Sequence, residues 1–346
     1  VEIVDMRREL QGGNRSLFSR SLRSALESIR ETGQQAILFV SRRGHSTFVS
    51  CRSCGYVAEC PHCDVSLSYH YTHEGATELL RCHYCNYSRL QPRLCPECNS
   101  PYFKFFGSGT QRVTAELTKE FPDLRAIRFD SDTTSRKNAS RDLLRRFTNG
   151  EADVLVGTQM LTKGLDIDRV TLVGVMAADG LLYHSDYRAA ERAFQTLTQV
   201  VGRAGRGEIA GRAIIQTYTP EHPVIRAVQT HDYEGFVEAE LEQREGLSYP
   251  PYGRLILLRL SGLDGEEVQK TAEVLADACI EGLGTDREIL GPAPATVQRV
   301  ARRYRWQILI KFATEDGEIV RSLLTLKSLV PRGVSLAIDV DPLSMD

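Results

Sequence analysis

The chain has little of what would commit it to a membrane, a secretory route or a polyanion. Its 346 residues contain no run of about 18 apolar residues able to span a bilayer. A balance of 42% hydrophobic to 25% charged residues is that of an ordinary soluble domain. No basic leader with an apolar stretch and a small-residue cleavage site opens the sequence, so a cytoplasmic location is expected. The first residue is Val1 rather than Met, and further domains upstream are expected. The formal net charge of −2 supplies no global field, so any contact with nucleic acid has to come from local patches. No G-x-x-x-x-G-K-[S/T] loop that could cradle phosphates occurs anywhere, and no D-E-x-H metal-holding box follows a strand. These two absences exclude a self-sufficient nucleotide-hydrolysing site.

Cysteine, by contrast, is concentrated. Eight of the nine cysteines form four C-x-x-C pairs: Cys51/Cys54, Cys60/Cys63, Cys82/Cys85 and Cys95/Cys98. Two thiolates at that spacing occupy two corners of a tetrahedron around Zn²⁺, so four pairs make two Cys₄ sites. Gly55, Asp64, Asn86 and Asn99 follow the second cysteines, and these residue types best tolerate the left-handed backbone of a metal knuckle. Cys63 and Cys82 are separated by 18 residues, within the roughly 15 to 20 usual for a zinc ribbon. The spacing therefore favours a nested over a sequential grouping, with Cys60, Cys63, Cys82 and Cys85 on one ion and Cys51, Cys54, Cys95 and Cys98 on the other. A disulfide framework is the competing reading, but it belongs to small secreted domains. With four sulfurs per ion no position stays open for an activated water, so both ions are expected to be structural. His62 and His83 are then bystanders, and Tyr69, Tyr71 and Tyr84 fill a small core rather than stack on bases. Cys279, in a helical pattern far away, reads as a buried thiol.

At this length more than one domain is expected. Phe18, Leu22, Ala25 and Ile29 recur at helical spacing up to Gly33, and residues 36–40 read as a buried strand. After the cysteines come helices near 110–120 and 139–147 and strands near 124–129, 154–156, 170–176 and 212–218, with a helix between the last two. Such alternation builds a parallel sheet covered on both faces. The segment Gly107–Thr110 reads as a turn and cap.

Two motifs lie on this sheet. V-L-V-G-T-Q-M-L-T-K-G-L-D-I (154–167) runs from a strand into a polar loop, and Q-V-V-G-R-A-G-R (199–206) ends a helix with two arginines. The second alone is equally a basic helix end closed by glycines. Together and in this order they resemble motifs V and VI of superfamily 2 helicases. S-R-R-G-H before the four C-x-x-C pairs, then G-S-G-T-Q-R-V and D-Y-R-A-A-E-R-A-F-Q, narrow the resemblance to the PriA family of bacterial replication-restart helicases, across nearly the whole chain. His184 and Ser185 before Asp186 are small departures.

The resemblance implies a RecA-like second helicase lobe (1–43 and 107–230), an inserted two-zinc module (44–106) and a small α+β carboxy-terminal domain with a split sheet (231–346). It implies Arg206 as the arginine finger, supported by Arg203 and Gln199. It also sets Gly164 and Asp166 near the nucleotide ribose, and Thr158 and Gln159 near the DNA backbone. ATP and Mg²⁺ would serve the intact enzyme, a 3′–5′ DNA helicase, whereas this chain alone is expected to be inactive. The implied partners are single-stranded and branched DNA (forks and D-loops), single-stranded DNA-binding protein, other primosome proteins and the replicative helicase, in the nucleoid. The rival reading is a non-catalytic DNA-binding scaffold with vestigial motor motifs.

Beyond residue 231 the pattern changes to β-α-β-β-α-β after a first helix, an order that suggests a split sheet with helices on one face. In the strand near 304–312, Tyr304, Trp306, Ile308, Ile310 and Phe312 share the core face. Arg303, Arg305, Gln307 and Lys311 share the other, with Arg303 and Arg305 as candidates for phosphate contacts. The clusters 136–146 and 299–305 are equally readable as solvated basic faces.

Overall fold

The computed structural model describes the chain except for residues 42–47, 64, 71–78, 106–108, 137, 159–160, 162–166, 206–208, 284–286, 314–318, 320–322, 324–325 and 346. In chain order the elements are β1 (Glu2–Asp5), α1 (Met6–Gln11), α2 (Arg20–Thr32), β2 (Gln35–Phe39), β3 (Val49–Cys51), β4 (Ser68–His70), β5 (Leu79–Arg81), β6 (Ser88–Leu90) and β7 (Phe103–Phe105). They continue with α3 (Thr110–Glu120), β8 (Ala126–Phe129), α4 (Ala139–Thr148), β9 (Val154–Gly157), β10 (Val170–Val175), α5 (Asp179–Leu182), α6 (Ala189–Val201), β11 (Arg212–Thr217) and α7 (Pro223–Thr230). Then follow α8 (Tyr233–Gly246), β12 (Gly253–Gly262), α9 (Gly265–Gly282), β13 (Glu288–Val300), β14 (Arg303–Ala313) and β15 (Val334–Val340). Among the described residues no helix is long and apolar enough to cross a membrane.

Six strands form one all-parallel sheet in the order β1-β11-β10-β2-β9-β8. Every residue of β2 and β9 is buried, as expected for strands covered on both faces. Leu22, Leu26, Val113 and Leu117 from α2 and α3 pack on one face. Phe147, Leu197 and Ile225 from α4, α6 and α7 pack on the other. Local chemistry sets the ends: Ser19 Oγ accepts from Leu22 N (3.2 Å) at the start of α2, and Gly33 closes the helix with φ +65°. The sequence reading missed β1 and α7. β1 is only four residues long and completes the sheet at the edge of β11.

The carboxy-terminal sheet is antiparallel, ordered β13-β14-β12-β15. On one face Trp306, Ile308, Ile310 and Phe312 meet α9. The second helix expected near 317–329 falls largely outside the described residues. Ile319 and Leu323 there are buried in the same core, and a short 3-10 turn spans Leu326–Leu329.

Two expectations need correction. The reading that began the carboxy-terminal domain at 231 included α8, but its buried Phe236 stacks on Phe194 of α6 at 4.3 Å and belongs to the core of the lobe. The β14 face read as carrying phosphate-contact candidates at Arg303 and Arg305 is also covered further along, at Gln307 and Lys311. Gln307 is 3% exposed and Lys311 8%, with Lys311 paired to Glu288 at 2.7 Å. What covers this face is the cysteine module: Leu255, Leu257, Leu290 and Leu309 share a core with Leu67 and Leu80.

Beyond β8, Asp130 is 1% exposed. Burial alone would raise its carboxyl pKa. Hydrogen bonds from Thr110 Oγ1, Thr133 N (3.0 Å) and Arg128 Nη2 (2.8 Å) overcome this and hold it at about 2. A carboxyl depressed from 3.8 contributes stability above that value and loses it as pH falls towards 2. Asp130→Asn is therefore expected to cost about 2 kcal/mol at neutral pH. The difference from wild type in denaturant midpoint should narrow as pH falls below 3.8 and be mostly gone by about pH 2. A gap that persists unchanged at acid pH would contradict the assignment.

Candidate metal centre and arginine loop

Each cysteine pair sits on a short turn whose geometry comes from its neighbours. Gly55 N donates to Cys51 O (2.9 Å), Asn86 N to Cys82 O (3.2 Å) and Asn99 N to Cys95 O (2.9 Å). These three residues have φ of +86°, +64° and +56°, which explains why glycine and asparagine stand there. Asp64 lies outside the described residues.

The turns bring Cys51, Cys54, Cys95 and Cys98 into one cluster and Cys60, Cys63, Cys82 and Cys85 into another, with the sulfurs of each within 4.8 Å of one another. This is the nested grouping. Sulfur–sulfur distances are 3.6 Å for Cys51–Cys98, 3.6 Å for Cys54–Cys95 and 3.5 Å for Cys60–Cys85. Four thiolates bonded to one zinc at about 2.3 Å would stand about 3.8 Å apart, whereas a disulfide needs about 2.05 Å. The donor set and spacing thus fit two tetrahedral zinc ions and do not fit cystines. His62 and His83 belong to neither cluster. Cys279 is a lone buried thiol that burial pushes up to about 11.

The two clusters have different surroundings. In the outer one Cys98 is exposed. Its first knuckle grips the parallel-sheet lobe: Arg7 Nη1 donates to Cys54 O (3.1 Å), and a Cβ on Gly55 would come 2.4 Å from Tyr218 O. In the inner one Cys60, Cys63 and Cys82 are all buried, Cys82 completely. Tyr84 is also fully buried, in the core role the sequence suggested for it.

The arginine loop lies at the opposite end of α6. Gly205 N donates to Val170 O (3.0 Å), and Val170 N to Ile167 O (3.1 Å), so the end of α6 and the end of the 154–167 motif meet at the start of β10. A Cβ on Gly205, at φ +72°, would lie 2.2 Å from Gly211 N. Only glycine permits this approach. Gln199 is exposed, Arg203 half-buried and Thr158 buried. Gln159, Gly164, Asp166 and Arg206 lie outside the described residues. Arg303 turns across the sheet to Ser261 O (2.7 Å) and Ser335 Oγ (2.9 Å), and Arg305 is half-buried.

Sequence reasoning missed two other sites. Asp179, wholly buried, accepts hydrogen bonds from Thr217 Oγ1, Tyr218 N and Thr219 Oγ1, each at 3.0 Å. A cavity of about 410 Å³ lies between the cysteine module, α6, α7 and α8.

A parallel-sheet lobe with two motifs converging on one strand end and an inserted four-pair cysteine module defines the carboxy-terminal lobe of a helicase with a metal-binding insertion. Residues 103–208 match the helicase conserved C-terminal domain, 60–89 the PriA DNA helicase Cys-rich region, and 245–343 the primosomal protein N C-terminal domain. Over its whole length the chain is 64% identical to the replication restart protein PriA of Synechocystis sp. and 47% identical to that of Bacillus subtilis, spanning 42% and 43% of those proteins. The same protein of Thermotoga maritima is 36% identical and is spanned over 45% of its length. The chain belongs to the PriA family and spans a little under half of these relatives.

Elemental analysis should find about two zinc equivalents per chain. Cys82→Ser, at the buried inner site, is expected to destabilise the protein more than Cys98→Ser at the exposed outer site. Equal losses of denaturant midpoint, or metal-free protein with an unchanged module, would contradict the two-site account.

Proposed function

We propose that the chain is the second motor lobe, zinc module and carboxy-terminal domain of an ATP-driven 3′–5′ DNA helicase that restarts stalled replication forks. In the intact protein this region would act on single-stranded and branched DNA, beside single-stranded DNA-binding protein, primosome proteins and the replicative helicase. The observation that carries the reading is the meeting of the 154–167 and 199–206 motifs at the start of β10. An arginine fork suits the charge that spreads over a γ-phosphoryl group in transfer, because it stays protonated and donates several hydrogen bonds. Arg206 would be the finger and Arg203 and Gln199 its neighbours. Gly164 and Asp166 would face the ribose, and Thr158 and Gln159 the DNA backbone. ATP with Mg²⁺ supplies the driving phosphoryl transfer when bound. The phosphate loop would have to come from elsewhere in the parent, since this sequence has none. Arg303 and Arg305 are proposed to meet phosphates from the carboxy-terminal sheet.

Alone, the chain is expected to show background ATP turnover with single-stranded DNA present. In the full-length parent, Arg206→Ala should lower DNA-stimulated turnover by about a thousandfold or more, with nucleotide binding little changed. Turnover unchanged by Arg206→Ala would contradict its role as the finger, and a full-length parent that itself shows no DNA-stimulated turnover would favour a DNA-binding scaffold whose motor motifs are vestigial.

A further inference from the structure

The inner knuckle spans only four residues, yet its two middle members each reach a different part of the molecule. His83, 1% exposed, lies with Nδ1 2.9 Å from Pro294 O of β13, and its own carbonyl accepts from Gln307 Nε2 of β14 at 2.9 Å. Tyr84, 1% exposed, carries its hydroxyl to Tyr187, whose backbone N donates to it at 3.1 Å just before α6 of the lobe. Gly291, at φ +104°, lets β13 close on the knuckle, since a Cβ there would come within 3.3 Å of Tyr84 O. Both residues sit between the metal ligands Cys82 and Cys85, so an ion held there would fix their backbone and thus the direction of both side chains. We propose that the Cys82–Cys85 knuckle is the joint that fixes the carboxy-terminal sheet to the motor lobe, with Tyr84 as its pin and His83 as its strut. The outer cluster has a different role: it anchors the module to the lobe through Arg7 and Tyr218 and leaves the joint alone.

The joint concerns how two described domains are held together and stands independently of the motor reading. Its test uses the zinc-loaded full-length protein with Tyr84→Ala, Tyr84→Phe and Cys98→Ser. Chymotryptic cleavage after the exposed Tyr252, in the connection between α8 and β12, and hydrogen exchange in β13 and β14 are read beside zinc content. Tyr84→Ala should keep two zinc equivalents while cleavage and exchange rise about tenfold. Tyr84→Phe, which loses the acceptor but keeps the ring, should fall between it and wild type. Cys98→Ser should lose one equivalent and leave both rates alone. If Tyr84→Ala does not fold, Gln307→Leu, which removes the bond to the His83 carbonyl, is read in its place with the same expected rise. Unchanged rates in the folded variant, or a rise with Cys98→Ser equal to that with Tyr84→Ala, would overturn the proposal.

Discussion

The arrangement of the molecule depends on four sulfurs gathered at the inner cluster. The 48–105 segment is short, its strands have three residues each, and a chain of that size builds only a marginal core of its own. Metal coordination is a different order of interaction, with structural zinc in small modules contributing roughly 10 to 16 kcal/mol to folding. With an ion bound, that energy would let a four-residue turn bury backbone groups that a loose loop would leave unsatisfied. The His83 carbonyl is one such group, and it is matched by Gln307. Rigid turns of this kind can serve as packing pieces between domains, which ordinary surface loops rarely do.

Much of this was legible because the signals were local. C-x-x-C spacing with glycine or asparagine behind it specifies a knuckle, and the 18-residue interval between Cys63 and Cys82 selects which knuckles share an ion. The helices from Arg20 and Thr110 were readable from apolar spacing, with Gly33 and the Phe121-Pro122 step as stops. The carboxy-terminal sheet shows where such reading ends. Period-2 alternation separates the two faces of β14 without saying what lies beyond either. Gln307 and Lys311 are polar, and the alternation alone leaves their surroundings open. In the fold Gln307 bonds a knuckle carbonyl, and Lys311 lies 4.6 Å over the Tyr249 ring and pairs with Glu288. The knuckle partner of Gln307 comes from a segment 224 residues away, and nothing local marks it. The helix opening at Pro223 did carry a readable sign, a proline in its first turn after His222. Of the motor site, the loop glycines were legible as turns, but the reason for Gly205 is the backbone of Gly211.

A second, electrostatic seam runs beside the metal joint. Glu191 of α6 binds Arg188 (2.6 Å) and Arg244 of α8 (2.9 Å), and these hydrogen bonds, overcoming burial, hold its carboxyl at about 2. Arg244 also bonds Glu240 at 2.7 Å and lies 5.6 Å over the Tyr187 ring, which stacks on Tyr249 at 5.1 Å. Partly buried ion pairs add little net stability, because desolvation offsets their attraction, but a broken one is costly. Their role here is registration: they fix the angle at which α8 leaves the lobe, just ahead of the turn into β12. Asp186 extends the seam, bonding Arg192 at 2.9 Å and receiving Met345 N at 3.3 Å. Tyr187, which follows it, is the residue whose backbone meets Tyr84.

The joint and the seam converge on residues 186–191, and this limits where the carboxy-terminal domain could meet a nucleic acid on the proposed reading. One face of its sheet is filled by α9 and the other by the cysteine module. Flat docking on either face would mean dismantling a core. On the proposed DNA-binding role, contact would be left to edges and hairpin tips, and the β13–β14 hairpin turns through Ala301 and Arg302 at φ +48° and +66°. Those two residues are exposed at the tip, with Arg299 placed 4.9 Å over the Tyr304 ring beside them. Arg303, by contrast, is drawn inward across Ser261 and Ser335. A backbone phosphate needs exposed charge on a formed surface, so Arg299 and Arg302 meet that condition more fully than Arg303 does, although all of them read alike as a basic run in the sequence.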